Sequence, residues 1–116
     1  MRKAVRADIM VVMTKNLHNV LIPLEQIEAF CRRNPIQKLS LFGSVLRDDF
    51  TDKSDVDFLV ELDPAAHVGL FEFLHMQFEL RDMIGRSVDL RTPEDLNERF
   101  RQKVIDQSQT VYECKN

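Results

Sequence analysis

A glycine-serine pair followed by two closely spaced aspartates is the pattern in this sequence that could do chemistry. Gly43 and Ser44 end an apolar run, and Asp55 and Asp57 follow after ten further residues, 45–54. Glycine lets the backbone turn sharply and approach a ligand closely, and the exposed amides that open a short helix favour an anion. The Gly-Ser turn is therefore predicted to hold phosphate.

The two aspartates are predicted to act as a pair. Residues two apart on a strand point to the same side, so Asp55 and Asp57 should project together while Val56 faces the core. Two carboxylates this close repel each other unless a cation lies between them, which favours a hard, oxygen-seeking ion such as Mg²⁺. Phosphate together with Mg²⁺ indicates a nucleotide.

A third carboxylate, Asp89, lies in a later strand between Val88 and Leu90. If that strand neighbours the one that carries Asp57, Asp89 can help to bind metal and can accept a hydroxyl proton, as a two-metal in-line displacement requires. We therefore expect a phosphoryl or nucleotidyl transfer site in which Asp55, Asp57 and Asp89 are both catalytic and metal-binding. The alternative for each acid is a solvated strand face.

The surrounding pattern predicts a small α/β domain that positions these residues. Apolar periodicity and helix-end signals favour a small mixed sheet of three to four strands packed with helices. The predicted elements are a helix at 23–33, a strand at 36–42, a short helix and polar loop at 45–54, a strand at 55–62, a helix at 69–84, a strand at 88–90, a last helix that starts at Thr92-Pro93 and an edge strand at 111–112.

The length of 116 residues is that of one domain. Residues 1–20 show no clean period and are predicted to be a loose N-terminal extension, which leaves 21–116 as the domain. The apolar run 9–13 is too short for a signal core or a membrane span. Two distant cysteines without metal-type spacing argue against a disulfide framework or a zinc site, so a cytoplasmic location is expected.

The charge balance and the long helix bear on partners. A net charge of −3 lacks the electrostatic footprint of a nucleic-acid-binding protein, so nucleic acid is not expected as a partner, and the short apolar run 9–13 argues against a membrane. The helix 69–84 carries two apolar ridges, of which a small sheet needs one. The second ridge, Phe71, Leu74 and Phe78, is either core under the N-terminal segment or an exposed patch for a partner protein or a second copy.

The order of motifs in this chain resembles that of the polymerase-beta-type nucleotidyltransferase superfamily. The motifs are Gly-Ser, Asp-x-Asp after ten further residues, and a later Val-Asp-Leu strand. In length and flanking sequence the chain looks most like the minimal nucleotidyltransferase (MNT) family, from Leu24 to Tyr112. The resemblance implies the polymerase-beta-like nucleotidyltransferase fold. It also implies transfer of AMP from ATP with two Mg²⁺ ions as cofactors.

The resemblance also implies a role for each matching residue. Gly43 and Ser44 match the phosphate-binding turn, Asp55 and Asp57 match the metal pair, and Asp89 matches the third carboxylate. Arg47 matches a basic position that could touch phosphate, the alternative being a surface residue paired with Asp48 or Asp49. Relatives commonly have glycine where this chain has Asp48, so the shape of this loop is expected to differ.

The biological partner is implied by the resemblance alone. MNT proteins typically pair, as antitoxins, with a small helical HEPN ribonuclease toxin, and some adenylylate a tyrosine near the active site of that toxin. A HEPN-type toxin is thus the expected partner and acceptor. Two alternatives stay open: an antitoxin that neutralises the toxin by binding without catalysis, and a small-molecule nucleotidyltransferase of the aminoglycoside-modifying type.

Overall fold

The computed structural model describes residues 14–17 and 20–114. Within these residues it has six strands, three α-helices and two short 3₁₀ turns. They are β1 Thr14–Leu17, β2 Val20–Pro23, α1 Leu24–Arg33, β3 Ile36–Phe42, a 3₁₀ turn Gly43–Leu46, β4 Val56–Leu62, α2 Leu70–Ile84, β5 Val88–Arg91, a 3₁₀ turn Pro93–Asp95, α3 Arg101–Gln107 and β6 Gln109–Glu113.

Four of the strands form one mixed sheet in the order β5-β4-β3-β6. Strands β4 and β5 run parallel, whereas β3 is antiparallel to both β4 and β6. A parallel pair needs a crossover connection, and α2 supplies it between β4 and β5. The predicted α/β architecture with a small mixed sheet is therefore confirmed.

The core lies on the face of this sheet that α1 and α2 cover. Leu41, Phe58 and Leu90 are neighbours in register across β3, β4 and β5, and all three are buried. Phe30 of α1 and Leu80 of α2 belong to the same buried cluster and are fully enclosed. Each such side chain contributes about 1.5–3 kcal/mol through burial, so this face provides most of the stability of the fold.

The helix predicted at 69–84 is present as α2, and both of its ends have local causes. The Gly69 amide donates a hydrogen bond of 2.6 Å to Oε1 of Glu72, which satisfies a free donor in the first turn. Gly85 ends the helix in the left-handed conformation at φ +81°, a region that favours glycine. The sequence thus encodes both limits of this helix.

The prediction of one continuous last helix is wrong. The 3₁₀ turn Pro93–Asp95 is separated from α3 by residues 96–100, so the helix begins only at Arg101. The Arg101 side chain explains part of the difference, because its Nε donates a 2.7 Å hydrogen bond to the Pro93 carbonyl and its Nη2 a 3.2 Å bond to that of Leu96. A side chain thus satisfies carbonyls that a continuous helix would pair with backbone amides.

The N-terminal prediction falls largely on residues 1–13, which lie outside the described residues. Within the described part, β1 and β2 form an antiparallel hairpin in which Leu17 pairs with Val20. Val20 and Ile22 of this hairpin are buried in the core. Residues 14–17 are thus paired with β2, and the prediction of an N-terminal extension over 1–20 stays a prediction. No helix within residues 14–17 and 20–114 is both long enough and apolar enough to cross a membrane.

Candidate active site

The predicted site residues Asp57 and Asp89 lie on the opposite face of the sheet, one residue along from the core residues. Phe42 of β3 pairs in register with Asp57 of β4, and Asp57 pairs with Asp89 of β5. Residues opposite each other on neighbouring strands point to the same side of a sheet. Phe42, Asp57 and Asp89 therefore form a row across three strands, which we call the site row.

Asp57 lies at the centre of this row, and the charges of the neighbouring aspartates affect its pKa. Its side chain is half-buried, and burial is the main reason that its pKa rises to about 6 from 3.8. The negative charges of Asp89 and Asp55 raise the pKa further, against smaller opposing effects of Arg91 and Arg47. The site thus has an excess of negative charge that a bound cation would compensate.

The Gly-Ser turn packs directly against this carboxylate. Gly43 has φ +79°, a conformation that favours glycine. A Cβ at this position would collide with Oδ2 of Asp57 and would lie 3.2 Å from its Cγ. Any side chain larger than hydrogen would therefore push the turn and Asp57 apart, so the absence of a side chain at Gly43 keeps the two halves of the motif together.

Ser44 and Arg47 close the turn through the backbone, since the Arg47 amide donates a 2.8 Å hydrogen bond to the Ser44 carbonyl. The Arg47 guanidinium is 60% exposed and its Nε donates to Oδ1 of Asp49 at 3.1 Å. The alternative pairing with Asp49 is thus present, while the predicted contact of Arg47 with phosphate stays a prediction.

Asp55 lies just before β4 and is exposed, so a loop and not a strand sets its position. Arg86 anchors this loop. Its Nη2 donates 2.8 Å hydrogen bonds to the carbonyls of Thr51 and Ser54, and its guanidinium lies 4.5 Å from the centroid of the Phe50 ring. Sequence reasoning missed this role, because a lone arginine after a helix-ending glycine gives no signal of the loop it holds.

Arg91 is the second residue that sequence reasoning missed. Its Nε donates a 2.9 Å hydrogen bond to Oδ2 of Asp89, and both side chains are partly exposed. A signal was present, because residues two apart on a strand share a face and an Asp-x-Arg pair can therefore form an ion pair. The third carboxylate of the site row thus already has a cationic partner.

The donor set suits Mg²⁺, since carboxylate oxygens are the protein ligands this ion takes. Among the described residues, however, no group of three or more His, Cys, Asp or Glu side chains is arranged so that it could hold a metal ion. The charges of Asp55 and Asp89 raise the pKa of Asp57, and Asp89 accepts a hydrogen bond from Arg91. The residues fit the ion in type and charge, and the Asp89 oxygen Oδ2 is the one that Arg91 engages.

The second ridge of α2 is not part of the core. Phe71 is 85% exposed and Phe78 is 49% exposed, while Leu74 is partly buried. The Arg81 guanidinium lies 5.0 Å from the centroid of the Phe78 ring. The first ridge, which includes Met76 and Leu80, supplies the buried contacts of this helix. Contact of the second ridge with a partner or a second copy stays a prediction.

Comparison with known proteins finds similarity in both sequence and fold. The family described as "Nucleotidyltransferase domain" matches residues 24–112. A protein of Methanocaldococcus jannaschii named "Putative protein adenylyltransferase" is 31% identical over 72 residues, which are 62% of this chain and 72% of that protein.

Two solved structures have a similar fold. A structure described as "putative minimal nucleotidyltransferase" has a TM-score of 0.62 and 26% identity, over 73% of this chain and 85% of that one. A chain from the complex of a tri-AMPylated HEPN toxin of Shewanella oneidensis with an MNT antitoxin has a TM-score of 0.57 and 22% identity, over 78% and 70% of the two chains.

Proposed function

Because the chain belongs to the nucleotidyltransferase domain family, we propose that it transfers AMP from ATP to a protein hydroxyl. The acceptor in this proposal is a tyrosine of a HEPN-type toxin, so the chain acts as the antitoxin of that toxin. The name of the M. jannaschii relative and the AMPylated toxin in the similar complex both support this acceptor class.

The observation that carries the proposal is the contact between the Gly-Ser turn and the site row. Gly43 has no room for a side chain because Asp57 lies against it, and Asp89 is in register with Asp57 on the next strand. A turn able to approach phosphate closely is thus adjacent to Asp57, whose pKa is raised by burial and by the charges of the neighbouring Asp89 and Asp55. This is the combination that transfer of a nucleotidyl group needs.

Each residue has a role in this scheme. The backbone at Gly43 and Ser44 holds the phosphates of ATP, and Asp55 and Asp57 hold Mg²⁺. Bound Mg²⁺ supplies charge neutralisation and orientation of the phosphates. Asp89 accepts the proton of the acceptor hydroxyl. The hydroxyl oxygen forms a bond to the α-phosphorus of ATP while the bond from that phosphorus to pyrophosphate breaks.

The exposed ridge of α2 supports a protein as the second substrate. Phe71 and Phe78 expose large aromatic surfaces, and aromatic side chains are enriched in protein interfaces. A small-molecule acceptor would not require such a surface. A second copy of the chain could also cover it, and the oligomeric state in solution distinguishes the two cases.

The test incubates the protein with Mg²⁺, ATP and the product of the neighbouring gene. ATP labelled at the α-phosphate should label the partner, whereas ATP labelled at the γ-phosphate should not, and mass spectrometry should find AMP-sized increments on a tyrosine. Label from the γ-phosphate would contradict the proposal, because it would indicate phosphoryl and not nucleotidyl transfer.

One observation favours a non-catalytic antitoxin as the second candidate function. Asp89 forms an ion pair with Arg91, so the third carboxylate is engaged within the chain. Under this alternative the partner is inhibited without any gain in mass, and inhibition survives the change Asp57→Asn.

A further inference from the structure

A cavity of about 520 Å³ opens beside the Gly-Ser turn, between that turn and α3. This volume lies within the range of small-ligand sites, about 300–1,000 Å³. Its lining residues come from the end of β3, the turn and α3. They are Phe42, Gly43, Leu46, Arg47, Val104 and Gln107.

The cavity is continuous with the proposed phosphate site. Gly43 contributes to both, since its backbone lines the cavity and packs directly against Asp57. Phe42 precedes this glycine and belongs to the site row, so its ring lies on the same face of the sheet as Asp57. A molecule with its phosphates at the turn could therefore extend into the cavity.

The lining has the chemistry of a site for a flat aromatic ring. Phe42, Leu46 and Val104 supply apolar surface, and aromatic side chains stack on nucleobases of any type. Gln107, the last residue of α3, also lines the cavity, and its side chain ends in an amide. An amide carries both donors and an acceptor, which is the pattern that pairs with the amino group and a neighbouring ring nitrogen of adenine.

We propose that this cavity binds the nucleobase of the nucleotide substrate and that the Gln107 amide contacts the edge of the base. The inference rests on the proposed function and adds to it the position of the base and a residue that affects base preference. Phe42 and Val104 provide contact surface, and Gln107 provides the directional hydrogen bonds.

The test measures binding of two probes to the full-length chain by isothermal titration calorimetry in the presence of Mg²⁺. AMP-PNP carries a base, and inorganic tripolyphosphate carries only phosphates. Gln107→Ala should weaken AMP-PNP binding about tenfold, as loss of a bidentate base contact does, and should leave tripolyphosphate binding unchanged.

Gln102→Ala is the matched control. Gln102 lies on the same helix, but its side chain donates a 2.8 Å hydrogen bond to Asp106 and does not line the cavity. This change should alter neither affinity. A second variant, Gln107→Glu, replaces the amide donors with a carboxylate, which accepts from the guanine edge, and should shift preference from AMP-PNP towards GMP-PNP.

The outcomes separate this inference from the function on which it rests. If Gln107→Ala binds AMP-PNP as tightly as the wild type and Gln107→Glu leaves base preference unchanged, the cavity is not the base site, while nucleotide binding itself stands. If the wild type binds neither AMP-PNP nor tripolyphosphate, the inference and the proposed function are both overturned.

Discussion

Two rows of side chains cross the same three strands, one residue apart. One row is part of the hydrophobic core, and the other contains carboxylates of the candidate site. Leu41, Phe58 and Leu90 form the core row, which is buried under α1 and α2. The site row lies on the other face and contains the half-buried Asp57. Because alternate residues on a strand face opposite sides, one short segment supplies both stability and chemistry.

The rows differ in how their residues affect the free energy of folding. Each residue of the core row stabilises the fold by leaving water. Asp57 instead carries a cost, because burial and the charges of Asp89 and Asp55 raise its pKa. Residues adjacent in sequence should therefore respond to substitution with stability changes of opposite sign.

The largest expected effect is on stability in the core row. Phe58→Ala should lower the free energy of unfolding by about 3–5 kcal/mol, because it removes a fully buried ring and leaves a cavity. Chemical denaturation measures this change. Phe71→Ala, at an 85% exposed phenylalanine, is the control and should change stability by no more than about 0.5 kcal/mol. Equal losses in the two variants would contradict the placement of the core.

The second-largest loss of stability is expected in the loop that carries Asp55. Arg86→Ala removes two hydrogen bonds to loop carbonyls and the contact with the Phe50 ring, which should cost about 1–3 kcal/mol of stability. AMP-PNP binding with Mg²⁺ should weaken as well, because Asp55 loses its fixed position. Arg99→Ala, at an exposed arginine, is the control for loss of one positive charge. Unchanged stability in Arg86→Ala would show that the loop is held by other contacts.

The site row should show a stability effect of the opposite sign. The pKa of Asp57 in the folded chain is about 6, above the value of 3.8 for the unfolded chain. The protonated group therefore favours folding below about pH 4, and that contribution is lost as pH rises through 6. Without metal, Asp57→Asn should be more stable than the wild type at pH 7.5 and should lose this advantage at pH 4.

Asp82→Asn makes the same chemical change at an exposed position on α2. Thermal denaturation of both variants in EDTA at the two pH values provides the comparison. A gain in Asp82→Asn as large as that in Asp57→Asn would show that net charge, and not the environment of Asp57, determines the effect.

The smallest effect is expected at the edge of the site row. Arg91→Met removes the ion pair that engages Asp89, and a half-exposed pair of this kind is worth up to about 1 kcal/mol. Mg²⁺ should therefore bind about two- to fivefold more tightly, as measured by calorimetry without nucleotide. Arg99→Met is the control for charge. Weaker Mg²⁺ binding in Arg91→Met would mean that Arg91 helps to hold the ion site together.

The sequence predicts the elements whose ends are encoded locally. The strand at 55–62 has a strong apolar pattern, and Gly85 marks the end of α2, so both appear close to their predicted bounds. The prediction of the last helix was wrong because the Arg101 side chain bonds the Pro93 carbonyl. Apolar periodicity and helix-end residues carry no information about such a side-chain contact.

The candidate site also combines features that follow from local sequence with contacts between residues far apart in the chain. The Gly-Ser turn lies against Asp57, and the strand that bears Asp89 neighbours that of Asp57, which the sequence alone had left as a condition. The contacts that hold the loop before Asp55 were not predictable in the same way. Arg86 reaches the loop through contacts 32 and 35 residues away in sequence, and such contacts depend on the folded arrangement and not on local pattern.

The assignment of the site row as the active site is tested by the rate of AMP transfer to the partner protein at pH 7.5. The rate is compared among wild type, Asp57→Asn and Asp82→Asn, and thermal denaturation verifies that each variant is folded. Asp57→Asn should lose at least about a hundredfold in rate while remaining folded, and Asp82→Asn should transfer AMP as the wild type does. AMP transfer by Asp57→Asn at the wild-type rate would contradict the assignment of the site row as the active site.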